Sequence, residues 1–121
     1  MRISLLLIAL FFALAVPVHL QSQSGVPHIF SAEPASGRVG DVLTARGVNL
    51  GQESVAELYL TDGATDTKLV IVEQTATSIR FKILLGVKPG RPALMVLTKG
   101  EDAKLIEEPV KVTIEAEKPI S

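Results

Sequence analysis

The stretch Ser78-Ile79-Arg80-Phe81-Lys82-Ile83 alternates apolar and polar residues with a period of two. In an extended chain Ile79, Phe81 and Ile83 share one face, and Arg80 and Lys82 share the other. A helix would mix the two sets, so the segment reads as a half-buried strand with one wet face. No segment beyond residue 24 has the i, i+3, i+4, i+7 spacing of an amphipathic helix. The chain must therefore be assembled from strands, each with an apolar face to hide.

The remaining strands follow from the same rule and from backbone punctuation. Val26–Glu33 reads as a first strand, placed at an edge or a strand start by Pro27, which cannot donate to a ladder. Pro34, Gly37 and Gly40 mark a turn, and Asp41–Arg46 is a second strand. Gly47–Glu53 is a loop, in which Gly47 is expected to need a positive φ. Ser54–Leu60 carries Val55, Leu58 and Leu60, with Tyr59 on the opposite face. Thr61–Thr67 is a hairpin loop, with Asp62-Gly63 its turn pair. Leu69–Val72 is an apolar, mostly β-branched strand, Gly86–Pro92 a loop, and Ala93–Thr98 a central strand covered on both faces. Lys104–Glu115 is a long last strand with Val110, Val112 and Ile114 inward; Pro109 interrupts it and marks a bulge or an edge. About seven short strands with turns between them predict an all-β fold, an immunoglobulin-like antiparallel β-sandwich.

The start of the chain has the anatomy of a signal peptide. Arg2 supplies a positive end and Ile3–Val16 an apolar run, closed by Pro17 and followed by small polar residues. The run is shorter than the roughly 20 residues of a membrane-spanning helix. The expected division is a leader at 1–24, one domain at 25–115 and a tail at 116–121, with no stable membrane span after cleavage. Localisation is then secreted, periplasmic or at the cell surface. Loss of Arg2 with the leader leaves 11 basic against 13 acidic side chains, which opposes a nucleic-acid partner. The chain has no cysteine. An exported domain without disulfides must be held by its core alone.

The turn motifs resemble the IPT/TIG family of small immunoglobulin-like domains. The matching residues are Pro27 and Ile29, then Pro34, Gly37 and Gly40, then the corner Gly47, Asn49, Leu50. Thr77-Ser78-Ile79-Arg80-Phe81 resembles the family's entry to a later strand, and Gly90 followed by an apolar strand and a hairpin containing Gly100 resembles its end. The resemblance spans residues 26–115. It implies the sandwich fold and a role in adhesion or recognition, and it implies no catalytic residues.

Catalysis lacks parts. Beyond the leader the chain has one histidine, His28, in an edge-like strand beside Pro27. A Ser-His-acid triad or a zinc site would depend on it alone. The carboxylate pairs Asp62/Asp66, Glu101/Asp102 and Glu107/Glu108 read as solvated turn residues. Asp62 and Asp66 invite calcium, yet the loop lacks the spacing of a calcium loop. No enzyme activity, cofactor or metal is expected. Glycan recognition usually uses an exposed aromatic face. Beyond the leader the aromatics are Phe30, Tyr59 and Phe81, and Phe81 belongs to the core. Tyr59 is thus the binding candidate, with cross-strand packing its alternative role. The expected function is a non-catalytic secreted module for surface recognition, adhesion or structural assembly, with a protein or cell-surface partner. The alternatives are a small glycan-binding protein and an accessory subunit of an envelope complex. The loops Gly47–Glu53, Thr61–Thr67 and Gly86–Pro92 are the expected contact surfaces.

Overall fold

The computed structural model describes residues 25–117. The expected leader and residues 118–121 of the expected tail lie outside the described residues. The strands are β1 (His28–Glu33), β2 (Ser36–Gly37), β3 (Val42–Val48), β4 (Val55–Thr61), β5 (Asp66–Lys68), β6 (Val70–Gln74), β7 (Ser78–Lys82), β8 (Ala93–Thr98), β9 (Leu105–Lys111) and β10 (Thr113–Ile114). There is no helix among the described residues.

Two antiparallel sheets carry the fold, in the orders β1-β3-β7-β6 and β5-β4-β8-β9. These are the A-B-E-D and C′-C-F-G sheets of an immunoglobulin-like sandwich. β2 and β10 form a short parallel pair that closes one flank. The seven expected strands become ten segments because β2 and β5 are additional, and the last strand breaks at Val112.

The core lies between the sheets, because each strand buries one face. Ile79, Phe81 and Ile83 are fully buried while Arg80 and Lys82 are exposed. Phe81 stands in register with Leu43 on β3 and Ile71 on β6. Leu58, Leu60, Leu94 and Val96 supply the facing layer. Val55 joins them although its parity differs, because β4 has a register shift between Val55 and Glu57. Such a bulge moves one residue across the pleat. β8 lies between β4 and β9 and is buried from Ala93 to Val96, as a central strand should be.

Three expectations need correction. Leu69–Val72 is not one strand: Leu69 is the buried crossing from one sheet to the other, its N–H donating to Leu58 O at 2.9 Å. Val70 and Val72 on β6 are exposed; Val70 stands in register with the exposed Lys82 on the outer face, while Ile71 faces Phe81. Gly47 has no positive φ; Asn49 does, at 57°. The Asn49 side chain donates to Val26 O at 3.0 Å and holds that corner to the segment leading into β1. Replacing Asn49 with Ala removes both the tolerance of a left-handed backbone and this bond. A loss of about 1 kcal/mol in a urea melt is expected. Finally, Glu108 is not a solvated turn residue. It is 3% exposed and points between the sheets, because Ile106, Glu108 and Val110 share the inward side of β9.

Candidate functional site

Register decides which loops meet. Thr61, the last residue of β4, pairs with Ala93, the first of β8. The turn leaving β4 and the loop entering β8 are therefore forced side by side. Together they line a cleft of about 180 Å³, room for about six water molecules at ~30 Å³ each. Two of the three loops expected to make contacts, Thr61–Thr67 and Gly86–Pro92, thus form one surface. The third, Gly47–Glu53, lies at the opposite end, since Val55 at the start of β4 pairs with Thr98 at the end of β8. There Glu53 borders a more open depression with Lys99, Asp102 and Lys104.

The cleft has an apolar floor and a polar rim. Leu60 and Val87 are buried beneath it. Asp62, Thr65, Thr67, Lys88 and Arg91 stand around it, with Pro89 and Pro92 in its wall. Both walls are pinned. Asp62 Oδ1 accepts the N–H groups of Ala64 at 2.9 Å and Thr65 at 2.7 Å. Thr61 Oγ1 accepts Gly63 N–H at 3.1 Å. In the other wall Gly90 and Ile114 exchange backbone bonds of 3.0 and 2.7 Å, and Val112 N–H donates to Pro92 O at 2.9 Å. The Thr65 and Ala64 N–H groups hold the Asp62 carboxyl below its usual range, and the charge of Lys88 adds to this. That turn contact is present above the ordinary carboxylate range and is lost as pH falls through the lowered value. A cleft fixed this way needs little ordering when a ligand enters.

Tyr59 lies on the outer face of the second sheet and does not line the cleft. It stands in register with Lys68 on β5 and Met95 on β8, half-buried. Its hydroxyl donates to Glu57, and Glu57 meets Lys68 Nζ at 2.7 Å. Lys68, followed by Tyr59, lowers the Glu57 carboxyl, and the bond to Glu57 raises the tyrosine hydroxyl. The polar tip of Tyr59 is thus engaged, leaving part of its ring open. Phe30 is the most open aromatic among the described residues, 65% exposed at a register shift in β1. His28 is exposed at the start of the same strand. Among the described residues no group of three or more His, Cys, Asp or Glu is placed to hold a metal ion.

Lys88 and Arg91 were not legible as site residues, because scattered cations look alike in sequence. The signal that could have found them was the pairing of β4 with β8, which brings their loop to the Asp62 turn.

No family model and no curated protein matches the sequence. Solved structures share the fold. A protein of unknown function from Bacteroides thetaiotaomicron superposes with a TM-score of 0.63 at 15% identity, covering 78% of this chain and 23% of its own. An auxiliary nutrient binding protein from Bacteroides ovatus gives 0.55 at 17%, covering 75% and 21%. A protein from B. thetaiotaomicron with a phosphatase designation gives 0.55 at 19%, covering 76% and 19%. This chain therefore spans about a fifth to a quarter of each of these proteins. Identities this low establish the shared sandwich and nothing more.

Proposed function

We propose that the chain is a non-catalytic recognition module of the cell envelope or exterior, and that the cleft between the Asp62 turn and the Gly86–Pro92 loop is its contact surface. The observation that carries this reading is the preformed cleft itself, with its apolar floor and its rim of Asp62, Thr65, Thr67, Lys88 and Arg91. A sugar ring has apolar faces and a belt of hydroxyls, and such a cleft offers partners to both. A glycan is accordingly the proposed ligand class. The leader-like start of the sequence supports the proposed location at the envelope or exterior. The IPT/TIG resemblance points the same way, toward recognition at a surface.

The test is titration calorimetry against a panel of soluble polysaccharides. Replacing Lys88 and Arg91 together by Ala should weaken binding at least about tenfold, the effect of losing hydrogen bonds from charged donors. Tyr59→Ala should leave it unchanged. The reverse pattern would move the site to the outer sheet face around Tyr59. Absence of binding at millimolar glycan, with one stoichiometric protein recovered from the native envelope, would favour an accessory subunit.

A further inference from the structure

Two distorted edge strands meet along one flank of the sandwich. In β1, Ile29 pairs with Gly47 and Ser31 with Arg46, which leaves Phe30 as the extra residue. In β9, Glu107 pairs with Met95 and Lys111 with Ala93, so Glu108, Pro109 and Val110 stand opposite Leu94 alone. Pro109 cannot donate to a ladder, which accounts for the irregularity on that side. Glu108 shares the inward side of β9 with Ile106 and reaches across the gap. Glu108 Oε1 accepts the Ile29 N–H at 2.7 Å. A carboxylate oxygen thus takes the place that a neighbouring strand's carbonyl would fill, and one side chain joins the edges of both sheets.

The other oxygen of the same carboxyl, Oε2, is buried and no protein group donates to it. A buried carboxylate with one N–H partner is left largely unsolvated, whereas the neutral acid is buried at far lower cost. We propose that Glu108 is a pH-sensitive bolt between the sheets: as the neutral acid it holds β1 to β9, and its ionisation loosens that seam.

The surroundings agree. Burial raises the Glu108 carboxyl above its ordinary value, and the Ile29 N–H and His28 oppose that rise without cancelling it. On β1 the titratable groups are His28 and Glu33, and Glu33 is engaged by Arg46 at 2.9 Å. β8 carries none, and on β9 Glu107 and Lys111 are exposed. Because the folded-state value is raised, the folded state binds more protons than the unfolded state between the ordinary and the raised value. Stability from this group is therefore lost as pH climbs through that window, the opposite sense to Asp62. Loosening is confined to the first part of β1. Beyond Pro34 the flank is fastened independently, by Thr113 N–H to Ala35 O at 2.9 Å and Glu115 N–H to Gly37 O at 2.8 Å.

The test follows the Glu108 carboxyl by carbon NMR from pH 4 to 8, together with amide exchange at Ile29 and Thr113, corrected for intrinsic rates. Glu108 should titrate above the ordinary carboxylate range. Protection at Ile29 should fall with rising pH, by at most about tenfold per unit, the limit for release of one proton. Thr113 should stay protected. In Glu108→Gln, whose amide oxygen still accepts from Ile29, the protection of Ile29 should no longer depend on pH. Titration of Glu108 within or below the ordinary carboxylate range, or an Ile29 profile that is flat in the wild type, would overturn the proposal. Both readouts come from the unaltered protein, so a variant that failed to fold would not rescue it.

Discussion

Phe81→Ala is expected to lower the unfolding free energy by ~3–5 kcal/mol, the range for removing a buried phenyl ring from a packed core. Phe81 is fully buried and is the largest such side chain among the described residues. Its place explains the size of the effect. It sits on β7, between β3 and β6, and so touches the middle of the first sheet rather than a rim. β3 is tied to β7 by an unbroken backbone ladder, and β6 by a ladder with one register shift, between Ile71 and Glu73. They cannot move into the cavity without breaking those ladders, so the site relaxes poorly and the cavity term stays large. With no cysteine in the chain, no disulfide offsets the loss. Domains of this kind have a total stability of about 5–15 kcal/mol, so the variant should be near the edge of folding at 37 °C. Urea melts check this through the midpoint at unchanged slope. A loss below about 1 kcal/mol would mean that the ring is not in the core.

The sandwich was legible because the alternation at Ile79, Phe81 and Ile83 has one structural solution, and glycine and proline mark most of the turns. What escaped has specific causes. The crossing at Leu69 interrupts an apolar run whose residue types do not change, so no local signal separates the buried Leu69 from the exposed Val70. β5 escaped because Asp66–Lys68 is polar and becomes a strand only through its ladder to β4. The cleft loops were recognisable as loops, yet their meeting depends on the pairing of Thr61 with Ala93, a long-range register that composition does not encode. Glu108 is the instructive case. It has the same parity as Val110, Val112 and Ile114, which were expected inward, yet its charge led to its being read as a solvated turn residue. Residue chemistry argued for water, and the pattern won because the Ile29 N–H supplies the partner that makes burial tolerable.

Gly47→Ala is expected to destabilise by at least about 3 kcal/mol, at or beyond the upper end for overpacking, and Gly47→Val by more. The reason is proximity. A Cβ at this position would stand 1.8 Å from the carbonyl oxygen of His28 and 2.9 Å from the Cα of Ile29. Both are backbone atoms of the neighbouring strand, so no side-chain rotation relieves the overlap. Gly47 cannot retreat, because its own N–H is held by Thr77 O at 3.0 Å on the other side. The alternative is for β1 to move away, which would strip the ladder between β1 and β3 at the point where Ile29 enters the core. Gly40 is the internal comparison. It has a φ of +96°, but a Cβ there would meet nothing within 4 Å. Gly40→Ala should therefore cost only about 1 kcal/mol of backbone strain. The two glycines test different physics in one protein, collision at Gly47 and conformation at Gly40. Equal losses in parallel denaturant melts would show that β1 does not lie against β3 as closely as the register at Ile29 and Gly47 requires.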